Sequence, residues 1–309
     1  MASSTISPSL DQGALLAFRD NFWELAQQTN SRIGSSPAVM FLPSKGKTQN
    51  LGRIGRIELT EVATRNPNKQ FGDYNLDNRQ LTKRRFTKTI QIDQLYDVNE
   101  LISDPTSDIL RQLINAKERV IDAVLVEAAV GNVLTGAPDE APTSTSATND
   151  GVITIDATGG VDYDDIKSIT ENFINNDLSV EDYRGALICL TGNENSDLMS
   201  ITQFISNDFI AAKPVDKSMQ EQVGIYKTVY FAGSVSGGIT VTNPILPEGV
   251  TNRSCVVLAP ESLAVSMEIG DVDVSKSATK VNSTDITIDF WINAMRTEGV
   301  RTQILTATI

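Results

Sequence analysis

Histidine is absent from the 309 residues. That absence excludes a Ser-His-Asp or Cys-His nucleophile system and a His-ligated zinc. Carboxylate, Lys, Tyr or Ser chemistry stays open, so an enzyme is not excluded on this ground. Cysteine is nearly as scarce. Cys189 and Cys255 are the two, both in apolar, strand-like runs. The expectation is a pair of buried free thiols, with no disulfide in a reducing compartment. No run approaches eighteen apolar residues, so no membrane-spanning segment is expected. The opening Met1-Ala2-Ser3-Ser4-Thr5 lacks the basic start and apolar run of a signal peptide, which points to a protein made and used inside a cell.

Positive charge is scarce over most of the chain. Residues 1–100 hold 13 Lys+Arg against 10 Asp+Glu, a net of +3; the remainder holds 13 against 29, a net of −16. The total is −13. An acidic body disfavours tight, non-specific DNA binding, which needs phosphates neutralised. A mildly basic arm on such a body could instead steer one copy onto the next, and a solvated surface without a partner is the bland alternative.

What is present is organised around one stretch. From Thr106 to Val130 there is neither Pro nor Gly, and Asp104-Pro105 supplies a cap and a first-turn proline. Ile109, Leu113, Val120, Val124 and Ala128 recur at helical spacing, with Leu110, Ile114, Ile121 and Leu125 widening the stripe. Arg111, Gln112, Asn115, Glu118, Arg119 and Asp122 fall on the opposite side. Gly136 and Pro138 stop the run. A helix from Pro105 to Leu134 would span roughly 45 Å, longer than a compact small domain needs, so it reads as a spine.

Ahead of it, a short amphipathic helix is expected from about Gln12 to Gln28. Ser31 to Asn50 reads as an extended polar arm that must lie on the body, lie on a neighbour or be mobile. Alternation predicts strands over Arg53–Val62 and Leu81–Asp93, joined through a polar tip over Arg65–Gln80 into a long hairpin. Its charge is mostly basic, at Arg79, Lys83, Arg84, Arg85 and Lys88. A two-stranded ribbon is marginal alone in water, so a projecting one needs another surface to rest on.

Behind the spine, Gly136 to Gly151 reads as a mobile Pro, Ser and Thr loop. Short strands follow over Val152–Ile155 and Ala186–Leu190, with a helix capped by Asp162 running to Leu178 and another over about Asn195–Ile210. Strands are expected at Val223–Ala232, Ile239–Thr242 and Ser254–Ala259. This block from about 160 to 260 looks like an α+β domain of its own. Strands over Leu263–Ile269, Ile286–Ile292 and Val300–Thr308 then return, and the spine is the nearest apolar face for them.

Four apparent motifs carry no chemistry. Gly46-Lys47-Thr48 resembles the end of a phosphate-binding loop, but the first glycine would fall at Phe41 and no strand leads in. Asp73, Asn75 and Asp77 match the start of a calcium loop, yet its glycine position is Asn78 and its bidentate Glu position is Arg84. Asp271 and Asp273 share a strand face without a third group. Asp164 and Asp165 sit in a helix's first turn, where the dipole favours them.

The order of arm, basic hairpin, spine helix, inserted α+β block and returning strands resembles the major capsid proteins of tailed bacteriophages with the Hong Kong 97 (Johnson) fold. Ser254 to Ala259 running into Pro260-Glu261-Ser262-Leu263, then the Ile286–Ile292 strand and the Thr297-Glu298-Gly299-Val300-Arg301 turn, are similar to the C-termini of that family. The resemblance implies an α+β chain with an N-terminal arm (1–50), an extended β-hairpin loop (51–100), a peripheral domain (101–159 and 262–309) and an axial domain (160–261). It implies self-assembly into pentamers and hexamers, an icosahedral shell around double-stranded DNA, and assembly in the bacterial host cytoplasm. Portal, scaffolding and decoration proteins would be the partners, and because the chain begins almost at the arm any scaffold would be a separate protein. No cofactor, metal, membrane or sequence-specific DNA contact is implied. Arg79, Lys83, Arg84, Arg85 and Lys88 become the expected intersubunit contacts. An encapsulin-like cellular shell is the variant, and an acidic cytosolic enzyme using carboxylate or Lys chemistry is the reading from another class.

Overall fold

The computed structural model of the chain describes residues 28–43, 46–59, 61, 72, 74–93, 106–137, 141–201, 222–232, 246–247, 251–269 and 272–308. The helix expected over Gln12 to Gln28 lies almost wholly outside them. So do the strand expected over Ile239–Thr242, the end of the helix expected through Ile210, and residues 65–71 of the tip expected over Arg65–Gln80, whose last five residues belong to a strand.

In chain order the strands are β1 (Val39–Phe41), β2 (Thr48–Ile54), β3 (Leu76–Thr82), β4 (Arg84–Asp93), β5 (Val133–Gly136), β6 (Thr143–Thr145), β7 (Ile153–Ala157), β8 (Leu187–Leu190), β9 (Gln222–Val223), β10 (Tyr226–Tyr230), β11 (Asn252–Leu258), β12 (Leu263–Ile269), β13 (Asp273–Lys276), β14 (Ser283–Arg296) and β15 (Thr302–Thr308). The helices are α1 (Thr106–Val130), α2 (Tyr163–Asn175), α3 (Val180–Tyr183) and α4 (Gly192–Ser200). The chain divides into two compact units. One holds Met1–Ser31, Arg84–Val120 and Glu268–Trp291; the other holds Arg32–Lys83, Ile121–Met267 and Ile292–Ile309.

In the first unit β4 and β13 flank β14. Thr89 meets Thr287 at 2.9 Å and Gln91 meets Asp285 at 2.8 Å, so the partners run in opposite directions, as in an antiparallel pair. The period of two sends Ile90 and Ile92 to one face and Thr87 and Thr89 to the other. Ile92 packs with Ile286, Ile288 and Leu113 of α1, and the Phe86 and Phe290 rings stack at 5.7 Å. Of the returning strands, the one over Ile286–Ile292 meets the spine helix here, whereas Thr302–Thr308 joins the sheet of the other unit.

The second unit is built on a six-stranded sheet in the order β7-β15-β11-β8-β10-β9. β15 runs antiparallel to β11 and parallel to β7. All four residues of β8 are buried, the signature of a strand covered on both faces. Helix α2 turns Ile166, Ile169 and Phe173 inward, and its first turn is closed by a reciprocal capping box in which the Asp165 N–H donates to Asp162 and the Asp162 N–H to Asp165. Gln303 of β15 donates to the Ile169 carbonyl at 3.0 Å, fastening helix to sheet. Cys189 and Cys255 are free and buried in this sheet, and burial pushes both thiols well above their ordinary value. A smaller sheet, β2-β3-β5-β6, and the parallel pair of β1 with β12 complete the unit.

Several expectations are corrected. The ribbon pairs Thr48–Ile54 with Leu76–Thr82, whereas Arg84–Asp93 is a strand of the other unit. Alternation continues across Lys83, so periodicity could not show where one strand ends and the next begins. Gly136 to Gly151 is not a structureless loop: β6 lies within it and pairs antiparallel with β5, the strand that leads into it. Helix α1 is not one-sided throughout. Residues 121–126 are all buried, and Asp122, expected on the polar side, is fully enclosed. Its carboxylate accepts the backbone N–H groups of Arg32 at 2.9 Å and Ile33 at 3.1 Å. Asn115 is buried too, while Ile114, expected in the stripe, is exposed. The arm of residues 32–41 therefore lies on the body, with Ile33 and Ala38 buried.

Candidate functional site

The ribbon of β2 and β3 is the feature least able to stand alone. Its register sets Thr48 opposite Thr82 and Ile54 opposite Leu76. A third strand, β5, supports β3 only at Asn78–Gln80. Beyond Ile54 and Leu76 the ribbon is two-stranded, continued by the Gly55 N–H donating to the Asn75 carbonyl at 2.7 Å. This outer part carries Ile54, Ile57, Tyr74 and Leu76 exposed, and Leu59 is 97% exposed. These apolar side chains are grouped on the two-stranded part of the ribbon. Arg53 and Asp77, opposite each other in register, form a cross-strand ion pair. Arg53 also donates to the Thr297 carbonyl at 3.2 Å. Asp77, one of the two carboxylates that suggested a calcium loop, is thus engaged within the ribbon; Asp73 lies outside the described residues.

The five basic residues divide into two groups. Arg79 and Lys83 are buried in the second unit. Arg84, Arg85 and Lys88 lie exposed on β4 in the first. Arg85 grips Asp289 with two nitrogens, Nε at 2.9 Å and Nη2 at 2.6 Å. That hydrogen bond holds the Asp289 carboxyl below its ordinary value and raises the Arg85 guanidinium above its own. The Arg84 guanidinium sits 5.8 Å over the Phe86 ring.

Arg79 is the core of a junction. It donates through Nη1 to Asp150 at 3.0 Å and to the Arg296 carbonyl at 2.8 Å, and through Nη2 to the other Asp150 oxygen. Arg296 donates through Nε to Asp150 at 3.1 Å. Its Nη1 reaches the carbonyls of Ala128, Ala129 and Gly131 at 3.0, 3.0 and 2.5 Å. These are carbonyls at the end of α1, which lack helical partners and carry the negative end of the dipole. One carboxylate and one helix terminus therefore hold two buried cations. Burial lowers the Arg79 pKa, and the hydrogen bond and charge of Asp150 oppose that shift. Gly299 backs the Asp150 carbonyl so closely that a Cβ there would overlap it.

The family model described as phage capsid protein matches residues 10–302. The chain belongs to that family. Solved structures agree in fold. The capsid protein superimposes on the mature capsid of bacteriophage PhiM1 with a TM-score of 0.68 at 12% identity, covering 94% of this chain and 90% of that one. It superimposes on Gordonia phage Cozz with a TM-score of 0.65 at 9% identity, covering 100% and 97%. For Mycobacterium phage Che8 the TM-score is 0.62 at 14% identity, covering 98% of each chain. No curated protein matches. The fold is of the Hong Kong 97 type, and the chain is a major capsid protein, a structural subunit of the phage shell. Membership favours the shell reading over the enzyme reading.

Two residues central to this capsid protein's junction, Asp150 and Arg296, had no signal in the sequence. Asp150 lies in the stretch read as a loop, and Arg296 in a turn. Only the Thr297-Glu298-Gly299 run beside Arg296 stood out, through its likeness to capsid C-termini.

Proposed function

We propose that this capsid protein closes its shell by laying the outer ribbon and the exposed basic edge of β4 on adjacent copies, in pentamers and hexamers that enclose double-stranded DNA. The observation that carries this is the group of exposed apolar side chains at Ile54, Ile57, Leu59, Tyr74 and Leu76, on a stretch of ribbon that no third strand pairs with among the described residues. Arg84, Arg85 and Lys88 add charge that selects which surfaces meet, since rim charges guide encounter more than they add affinity. Arg79 and Lys83 act one level down, by holding the base of the ribbon within its own subunit. In family terms the ribbon of β2 and β3 serves as the extended loop and residues 160–261 as the axial domain. Assembly takes place in the bacterial cytoplasm, with portal, scaffolding and decoration proteins as partners. Electron microscopy of purified protein tests the reading: closed shells of virus size support it, and soluble subunits that never assemble oppose it. The enclosed DNA slides past an acidic wall, so a gel shift should show only weak, salt-sensitive association; tight binding near physiological salt would oppose that part.

A further inference from the structure

The outer ribbon is tied to the body by a contact that neither the sheet nor the core requires. Arg56, just past the last paired residue of β2, forms an ion pair through Nη2 with Asp177, 121 positions away. Asp177 follows the C-terminus of α2. Its backbone φ is +64°, a left-handed conformation that costs a residue with a Cβ. A negative charge there also opposes the helix dipole. Asp and Asn both tolerate this backbone, but the helix end disfavours the charge, so Asn would suit position 177 better. Arg56 is the group that gives the carboxylate a purpose. On the ribbon side, Arg56 lies among Ile54, Ile57 and Leu59, the side chains argued above to meet another copy.

We propose that Arg56–Asp177 is a latch that holds the outer ribbon on its own subunit until a second copy of the chain takes it. Both side chains are well exposed, 74% and 66%. A pair so open is screened by salt and readily exchanged, which suits a restraint that must release rather than a structural bolt. Held by the latch, the apolar ribbon has one preferred direction; released, it samples many and reaches a neighbour sooner. The regulatory part rests on the shell reading above, but the restraint itself does not.

The test separates the two. Cysteines introduced by Glu58→Cys and Asn175→Cys accept spin labels selectively, because Cys189 and Cys255 are buried. In dilute, unassembled subunits the interlabel distance should be narrowly distributed. It should broaden with Asp177→Asn and in high salt, and narrow again in Arg56→Asp/Asp177→Arg. An unchanged distribution in Asp177→Asn overturns the latch whether or not shells form. Light scattering then reads assembly: Asp177→Asn should speed its onset by up to about five-fold, the range open to one exposed pair. Broadened distances with an unaltered onset overturn the regulatory role. A wild-type protein that never assembles would sink the shell reading, and the label distances would still decide the restraint. Circular dichroism of Asp177→Asn should match wild type, since that change removes a local cost.

Discussion

Arg79 and Arg85 stand six residues apart in one basic run, and the fold gives them opposite tasks. Arg79 is sealed from water between Asp150 and the Arg296 carbonyl. Arg85 grips Asp289 on an exposed sheet face. Both pairs have good geometry, so the difference lies in the solvent. Water competes for and screens the exposed pair, while the buried one has surrendered its hydration and depends on its partner. The lesson is that a cation's contribution follows from what remains when its anion is taken away. Around Arg85 that is water; around Arg79 it is a second guanidinium.

Val124→Asp should have the largest effect. It puts a charge with no partner into a fully enclosed position on the same helix whose end Arg296 caps. No soluble subunit is expected, and folded, assembly-competent protein would show that the enclosure is not needed. Asp150→Ala comes next. It leaves Arg79 and Arg296 facing each other without an anion and should cost about 3–5 kcal/mol, read as a lowered thermal midpoint. Asp289→Ala is the matched control and should lower the midpoint by far less, since the pair it breaks is exposed. Equal losses in the two variants would erase the contrast between the sites.

Arg84→Glu/Arg85→Glu should leave the fold intact by circular dichroism while slowing or misdirecting shell formation by light scattering and microscopy. High salt should partly imitate it, because exposed charges are screened over about 10 Å at 0.1 M. Adding Asp289→Arg rebuilds an ion pair within the subunit. A defect that persists places the action of the charge between subunits, and a cured one places it inside. The smallest effect is on acidification. Arg85 depresses the Asp289 pKa in the folded state, so this pair's contribution is present above the unfolded carboxylate value of about 3.9. It is lost as pH falls through the lower, folded value. Wild type and Asp289→Asn should therefore converge in stability in acid, and a difference that grows on acidification would contradict the pairing.

Much of the fold was legible in the chain because it rests on local periodicity. The period of two in Ile286, Ile288, Phe290 and Ile292 marks a strand whichever sheet receives it. Asp162 and Asp165 mark a helix start because capping is a contact between near neighbours. Helix α1 was legible as an element but not in its burial. Residues 121–126 are covered on all sides, and its pattern cannot announce that residues 32 and 33 will lay their N–H groups on Asp122.

Read alone, the chain shows most of its helices and strands, the absence of histidine chemistry, the acidic body and the basic run that entered the family resemblance. Those properties are sums over residues or patterns within a few positions. Only the tertiary structure decided which cations of that run are buried, where the ribbon ends and which carboxylate joins Arg79 to Arg296. Asp150 lies 71 residues from Arg79 and 146 from Arg296. No periodicity spans such distances; long-range packing brings the three groups together, and the loss of water makes the meeting matter.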